Sequence, residues 1–376
     1  MPDVPKIPST SPYKVLSDVF EKNKDSILEI EVLGSEVPLP EGQLILQDGL
    51  CVGIPKKVLA KAFVEARAIF MTRNHERVEN EAILAATKVI LLFDPEYLTA
   101  SNYRKERFAV CAGRLGELTE RRETVNSCRD TEMVDQELML EMNFLDSILT
   151  SPLHRQTKSP TLWYHRFWIV SSTILPLHST TLLGTGSRPD FHETKKRRDL
   201  QQMKDLLERE MAVVFKAAER HPHNYYAWQY LRRLLEVFTD EELPEYFATQ
   251  KFNVSLKIRS ELPIAVLSWC LANPSDASGW SFLTYFVYSR WLAPTPEKTD
   301  EIILHVMQFI MNVRWMGEAV WTFLKLAPRQ STERFRDAIL EFGRAVQQFE
   351  SSRHVEKAIA WMEKDHSDVQ MSSAAL

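Results

Sequence analysis

Apolar residues recur at three- and four-residue steps through most of this chain, which predicts amphipathic helices. A first stripe begins after Pro55 and covers residues 57–72. Three later stripes comprise Ile83, Leu84, Thr87, Ile90 and Leu91; Leu138, Met142, Leu145, Ile148 and Leu149; and Leu207, Met211, Val214, Phe215 and Ala218. A period of about 3.6 residues places each stripe on one helix face. Each of these helices therefore needs a neighbour that covers its apolar face.

The first 54 residues lack this period. Residues 27–33 and 43–47 are apolar with partial alternation, and prolines 38 and 40 separate them, which favours two short strands. We predict a helical-hairpin domain over 55–362 and an N-terminal extension over 1–54 that packs on it. Residues 363–376 are poor in apolar side chains and are predicted to form a disordered tail.

A short phrase recurs between the predicted helices. It consists of a turn marked by an acidic residue, proline or asparagine, then an aromatic residue and, in the best copies, Trp-x-x-Arg. Its copies cover residues 94–104, 158–166, 223–228, 276–283 and 317–324. Its signature residues are Asn102, Arg104, Trp163, His165, Arg166, Asn224, Trp228, Trp280 and Trp321. A phrase repeated at this spacing indicates stacked supersecondary units.

The repeating unit is a helix–turn–helix hairpin, because an apolar helix precedes and follows the phrase. The tryptophan is expected to fill the gap between stacked hairpins, and the arginine three residues later to pair with an acidic turn. The first four phrases lie further apart than the roughly 34–47 residues of common helical-pair repeats, so insertions are predicted. The plainest is the polar segment 179–199, predicted to be a mobile loop. The fold prediction is all-α, an α-α superhelix in which hairpins stack into a crescent.

Composition narrows the class of protein further. Glycine is scarce, with 11 in 376 residues, which disfavours a β-sandwich or barrel. A net charge of -5 gives no long-range attraction for nucleic acid. The four cysteines are scattered without a Cys-x-x-Cys pair, which is typical of reduced thiols rather than of a zinc site. No signal core or membrane-spanning stretch is found, so we predict a cytoplasmic protein without a membrane span.

Lys158 differs from the other phrase residues because it lies in a turn, directly before Ser159 and Pro160. Proline favours the first position of a helix, and a helix N-terminus attracts anions such as a diphosphate. From spacing alone, a solvated turn lysine is the more common outcome. His221 and His223 flank Pro222, but two histidines without a third ligand do not indicate a metal site. His165 is expected to be a hydrogen-bonded core histidine. The chain by itself shows no complete active site.

The phrases resemble the α-subunit repeat of protein prenyltransferases, whose signature is Lys/Asp-Asn-Tyr-x-x-Trp-x-x-Arg. Residues 224–228 match it almost letter for letter, and residues 158–166 match at lysine, tryptophan, histidine and arginine. The resemblance covers roughly residues 80–330. Long insertions between the repeats make the chain most similar to the repeat-containing branch of the family, and less similar to the standard farnesyl- or Rab-geranylgeranyl-transferase α subunits.

This resemblance implies an α-type subunit of a heterodimeric, cytosolic protein prenyltransferase. Such an enzyme moves an isoprenoid, geranylgeranyl if the chain follows its branch, from an isoprenyl diphosphate to a protein substrate with a C-terminal cysteine. The resemblance places Zn²⁺ and the isoprenoid pocket on a separate β subunit, and no cofactor on this chain. It makes Lys158 the catalytic residue that stabilises the leaving diphosphate. It also lets Tyr225, Tyr226 and His223 line the mouth of the shared site as substrate-binding residues.

Several residues depart from the family pattern. Pro160 stands where the family often has tyrosine, His223 where it often has lysine, and Leu231 occupies an arginine position. The alternative is therefore a non-catalytic helical-repeat adaptor that keeps only the partner-binding surface. A tetratricopeptide-type scaffold is disfavoured, because its pattern of small residues is missing from these hairpins.

Overall fold

The computed structural model describes residues 11–73, 80–120, 127–171, 189–239, 261–289, 292–350 and 352–374. The chain divides into two compact units, Met1–Leu234 and Leu235–Leu376. The described residues are helical apart from one small sheet and the turns, which confirms the predicted all-α, helical-repeat class. No helix in the described part of the chain combines the length and apolar character needed to cross a membrane.

The helices follow one another in pairs. Those that begin in the first unit are α1 (Pro12–Lys22), α2 (Lys56–Met71), α3 (Asn80–Phe93), α4 (Leu98–Glu120), α5 (Ser127–Leu149), α6 (His154–Thr157), α7 (Pro160–Ile169), α8 (Pro189–Arg220) and α9 (Tyr225–Thr239). The second unit contains α10 (helical residues 261–272), α11 (Ala277–Tyr288), α12 (Pro296–Val313), α13 (Glu318–Leu326), a 3₁₀ turn (Ala327–Gln330), α14 (Glu333–Phe349) and α15 (Arg353–Ala374). Each phrase lies at the turn between two helices, as predicted.

The extension is more regular than its sequence suggests. Besides β1 (Glu29–Leu33) and β2 (Leu46–Asp48) it contains a third strand, β3 (Cys51–Pro55), which lies between them, parallel to β1 and antiparallel to β2. A glycine and a proline within β3 obscured this strand in the sequence.

Helix α1 was also missed in the sequence analysis. It begins at a serine N-cap followed by proline, and its buried side chains are Tyr13, Leu16, Val19 and Phe20. The extension packs on α5, where the backbone N–H groups of Leu28 and Ile30 donate to the hydroxyls of Ser147 and Ser151 at 2.8 and 2.7 Å.

The phrase tryptophans fill the gaps between consecutive hairpins. In the first unit, the ring of Trp163 lies 5.2 Å from that of Tyr230 on the next hairpin. In the second unit, Trp280 contacts Phe323 at 5.7 Å, and Trp321 stacks on Phe342 at 6.2 Å. Aromatic pairs at these centroid separations stabilise a core beyond the area they bury. The tryptophans are thus spacers that hold one hairpin to the next.

Two predicted irregular segments are helical where the structure describes them. Of the predicted mobile loop 179–199, residues 179–188 lie outside the described residues. Residues 189–199 form the start of α8, so the basic run 195–198 lies on a helix. Proline is tolerated in the first turn of a helix, and no glycine or proline follows it here. The predicted disordered tail 363–376 is helical as far as Ala374, and no glycine or proline interrupts α15 over these residues.

Candidate functional site

In the first unit the turns of the first three phrases contact one another directly. The side chain of Gln156 donates to the carbonyl of Leu92 at 2.6 Å, and the Thr161 hydroxyl donates to Glu96 at 2.5 Å. The Asn224 amide then donates to the carbonyl of Thr157 at 2.9 Å. Residues 94–97, 157–159 and 221–224 therefore form one continuous edge, which we call the turn row.

Lys158 lies in the middle of the turn row and bridges two turns. Its ammonium donates to the carbonyl of Pro222, in the turn of the next phrase, at 2.9 Å. The side chain is partly exposed. An ammonium has three N–H donors and this carbonyl uses one of them. The structure therefore holds Lys158 in a fixed position and leaves donors available for an anion.

The local sequence explains why Lys158 is placed there. The short helix α6 ends at Thr157, and Ser159 caps the next helix by accepting from the N–H of Leu162 at 3.1 Å, with Pro160 at the first helical position. Lys158 is thus confined to the short link between two helices. The backbone of Lys158 is therefore fixed at the turn row by the two helices that flank it.

The turn of the third phrase is equally constrained. Its His223 has a left-handed backbone, with φ of 59°, which is uncommon outside glycine. The next residue, Asn224, is buried, and its side-chain oxygen accepts from the N–H of Ala227 at 3.3 Å. This cap, together with the bond from Asn224 to Thr157, fixes the carbonyl of Pro222 against Lys158. The structure therefore brings the predicted catalytic lysine and the predicted residue His223 to adjoining turns.

The surroundings of Lys158 carry positive or neutral nitrogen groups. The rings of His154 and His221 meet edge to face at 5.4 Å. Partial burial lowers the pKa of His221, and the positive charges of His154 and Lys158 lower it further. The Nε2 atom of His221 is buried without a hydrogen-bond partner among the described residues. The flanking arginines, at positions 155 and 220, form ion pairs with Asp94 and Glu29. The Glu96 carboxylate also lies in the turn row, where it accepts from the hydroxyls of Ser159 and Thr161.

Tyr225 and Tyr226 open helix α9 directly after this turn. Their side chains are 58% and 40% exposed, and the two rings meet edge to face at 5.5 Å. Large aromatic side chains at this exposure are available to a partner or to an apolar ligand. They lie at the end of α9 that follows the turn of the third phrase, and their role in substrate binding stays a prediction.

The remaining signature residues are structural. Arg104 is buried and pairs with Glu141 on the next hairpin, and it also donates to Thr87 at 2.6 Å. His165 contacts the same carboxylate through Nε2 at 2.8 Å, and its Nδ1 lies 3.4 Å from the Ser101 hydroxyl. Because a carboxylate only accepts, Nε2 donates and Nδ1 accepts from Ser101. His165 is the hydrogen-bonded core histidine that was predicted.

Protonation in this cluster follows from burial and charge. Burial alone would raise the pKa of Glu141, but the charge of Arg104 and the hydrogen bonds from His165 and Arg104 outweigh it, so this pKa lies well below its ordinary value. Burial lowers the pKa of His165, although its contact with Glu141 acts in the opposite direction. The cluster therefore contains a buried ion pair beside a neutral imidazole.

Arg166 repeats this arrangement one hairpin later. It donates to Glu210 at 2.6 and 2.9 Å and to Asp146 at 2.5 Å, and it is fully buried. The Tyr230 hydroxyl donates to the same Glu210, and Arg209 donates to Asp146 at 2.9 Å. In both clusters, an arginine on the second helix of one hairpin binds a glutamate on the first helix of the next. This ion pair joins consecutive hairpins.

The prediction that these arginines pair with an acidic turn was therefore wrong. Their partners are carboxylates on the buried faces of α5 and α8, which the sequence analysis missed. A signal was present, because Glu141 and Glu210 each precede a methionine and interrupt an apolar stripe. A carboxylate on a buried helix face requires a cation opposite it.

Asn102 is exposed, whereas the other signature residues are buried. It lies inside α4 on the exposed side, and among the described side chains it makes no hydrogen bond. Asn224 differs because it stands at the turn, before α9, where its amide reaches the previous phrase. In the first phrase, Ser101 stands at the tryptophan position and is buried. Asn102 follows it inside the helix and therefore lies on the exposed face.

The described residues do not fit a metal ion, since they contain no group of three or more His, Cys, Asp and Glu side chains arranged to hold one. No catalytic step is therefore assigned to a metal on this chain. The location of zinc on a β subunit stays a prediction.

Comparison with known proteins gives matches over most of the chain. A family model described as the ECM9 middle domain matches residues 192–305. "Protein prenyltransferase alpha subunit repeat-containing protein 1-B" from Xenopus laevis is 23% identical over 250 residues, 65% of this chain and 46% of the relative. "Protein prenyltransferase alpha subunit repeat-containing protein 1" from Danio rerio is 22% identical over 297 residues, 76% of this chain and 57% of the relative. The chain is a homologue of these prenyltransferase α-subunit repeat proteins.

A third match extends to a transferase subunit. "Geranylgeranyl transferase type-2 subunit alpha 2" from Arabidopsis thaliana is 24% identical over 212 residues, 55% of this chain and 26% of the relative. The chain spans about half the length of the two repeat-containing relatives. The resemblance drawn from the phrases is therefore confirmed at the level of the repeat family.

Proposed function

We propose that this chain is the α-type subunit of a protein prenyltransferase that is active with a separate β subunit. The enzyme would transfer an isoprenoid from its diphosphate to a C-terminal cysteine of an acceptor protein. The observation that carries the proposal is the position of Lys158, held between two helices and hydrogen-bonded to the next phrase turn. The Arabidopsis relative, named as a geranylgeranyl transferase subunit, supports geranylgeranyl as the isoprenoid.

Lys158 would stabilise negative charge that develops on the leaving group. As the allylic C–O bond breaks, its electron pair passes to the diphosphate oxygen, while the acceptor thiolate forms the new C–S bond. A preorganised cation near that oxygen is worth more in the transition state than in the bound substrate. The Pro222 carbonyl orients the ammonium by taking one N–H, and the other two can reach phosphate oxygens.

His154 and His221, the two histidines beside Lys158, would assist this lysine as negative charge accumulates on the leaving diphosphate. His221 is held largely neutral, because burial and neighbouring positive charges lower its pKa. A diphosphate next to it would oppose those effects and favour the protonated ring. His221 can therefore gain positive charge when an anion arrives. When bound, zinc on the β subunit would favour the thiolate form of the acceptor cysteine.

The proposal is tested by co-purifying the chain with candidate β subunits and assaying transfer of labelled isoprenoid to a cysteine-terminated protein. Lys158→Ala should keep the complex and lower turnover by about a hundredfold or more. Lys24→Ala is the matched control, since Lys24 is an exposed lysine that pairs with Glu21. Failure of the chain to bind any β subunit would contradict the enzyme proposal.

The alternative is a non-catalytic adaptor, and one observation favours it. The hydrogen bond from Lys158 to the Pro222 carbonyl joins two turns. Packing of the hairpins would therefore be a sufficient role for this lysine in a protein without catalytic activity. For an adaptor, the chain with a candidate β subunit would show no transfer even with Lys158 in place, and Lys158→Ala would lower only stability. The same assay therefore separates the two candidates.

A further inference from the structure

A second surface of the first unit carries cations around an exposed aromatic ring. Tyr164 lies on α7 and is 49% exposed. The Lys105 ammonium, from α4 on the preceding hairpin, lies 4.4 Å from the centre of its ring. The Arg233 guanidinium, from α9 on the following hairpin, lies 6.0 Å from the same ring and 5.4 Å from Phe167. We call Lys105, Tyr164 and Arg233 the Tyr164 patch.

The cations of the Tyr164 patch lack a carboxylate partner among the described residues, unlike several other cations of this unit. Paired cations include Lys14, Lys24, Arg104, Arg155, Arg166, Arg209 and Arg220. Within the described part of the chain, neither Lys105 nor Arg233 forms a salt bridge or donates a hydrogen bond. Each is held only by contact with aromatic rings.

Lys105 is also partly withdrawn from water. Burial lowers the pKa of its ammonium, and no neighbouring carboxylate acts against that effect. A desolvated cation without a counter-ion is unfavourable in the free protein. An incoming carboxylate would recover that loss, and the aromatic ring beside it would keep both cations oriented.

We propose that the Tyr164 patch binds an acidic segment of a partner protein. Lys105 and Arg233 reach the ring from the hairpins on either side of Tyr164, so they suit two carboxylates spaced along a peptide better than one compact anion. The exposed ring would pack against the apolar part of the same segment. Aromatic residues and arginine are enriched in protein interfaces. This surface would serve an enzyme subunit or an adaptor, so the inference does not depend on prenyl transfer.

The test measures binding of a fluorescein-labelled polyglutamate peptide to the full chain by fluorescence anisotropy. The double variant Lys105→Gln/Arg233→Gln should bind about tenfold more weakly, because each carboxylate–cation contact contributes a few-fold. The matched control is Lys14→Gln/Lys24→Gln, which removes the same net charge from cations that already have partners. This control should bind like the wild type.

Two results would overturn the inference. Equal weakening in both double variants would mean that the peptide responds to net charge alone. Competition by inorganic pyrophosphate that is lost in Lys105→Gln/Arg233→Gln would make the patch a site for a small anion instead. Far-ultraviolet circular dichroism should be unchanged in all variants, because none of the replaced side chains pairs with a buried carboxylate.

Discussion

The ion pairs between hairpins predict a large, specific loss of stability when Arg166 is removed. Arg166→Met keeps much of the aliphatic volume but deletes three charge-assisted hydrogen bonds, two to Glu210 and one to Asp146. Among the described residues, Asp146 retains Arg209, whereas Glu210 retains only the Tyr230 hydroxyl. The variant therefore leaves one carboxylate buried without a cation.

The magnitude follows from that unpaired carboxylate. Removing one partner of a buried pair costs about 3–5 kcal/mol. Arg220→Met is the matched control, because Arg220 contacts Glu29 at 2.6 Å, as Arg166 Nε contacts Glu210. The Arg220 side chain is 38% exposed, against 0% for Arg166. An exposed pair contributes about 0–1 kcal/mol, so burial alone should separate the two variants.

Urea unfolding followed by circular dichroism and tryptophan fluorescence measures the difference. The first unit contains Trp163 and Trp228, and the transition they report should move to lower urea in Arg166→Met. Adding Glu210→Leu should recover part of the loss, since it removes the unpaired charge. Equal effects of Arg166→Met and Arg220→Met would refute the reasoning. So would an Arg166→Met/Glu210→Leu variant that is less stable than Arg166→Met.

Two further predictions concern the core. Because the pKa of His165 is lowered in the folded protein, the unfolded chain takes up a proton on this residue near pH 6.5 while the folded chain does not. The free energy of unfolding should therefore fall as the pH drops below about 6.5, by at most about 1.4 kcal/mol per pH unit. His165→Gln should remove that part of the slope in urea unfolding at pH 7 and pH 5. Gly317→Ala should destabilise the second unit by about 1–3 kcal/mol, because a Cβ would lie 2.5 Å from Trp315 Nε1. Gly34→Ala, where a Cβ meets nothing within 4 Å, should have little effect. Thermal melts of both glycine variants, followed by circular dichroism, measure the difference.

Periodicity was sufficient to predict the hairpins, because each buries one apolar stripe and the turns between them share a phrase. It failed in the extension, where α1 occupies only 11 residues and β3 contains a glycine and a proline. It also failed for residues 363–374, where a polar composition suggested disorder although nothing in the sequence ends helix α15. Polar composition alone does not end a helix that has begun with a buried face.

The candidate site was only partly predictable. The position of Lys158 before a serine–proline cap is a local property, and it was predicted from the sequence. Its contact with Pro222 depends on how two hairpins stack, which no local pattern specifies. The same holds for Glu141 and Glu210, whose arginine partners lie on neighbouring hairpins. Partner choice across hairpins is a tertiary property, and the Tyr164 patch was missed for the same reason.

The turnover of the complex formed with a β subunit tests the central claim most directly. With saturating isoprenyl diphosphate and acceptor, Lys158→Ala should lower kcat by about a hundredfold or more while the complex still forms. Lys158→Arg should retain part of the activity, since it restores the charge with a different geometry. A Lys158→Ala complex with wild-type kcat would contradict the catalytic role of Lys158.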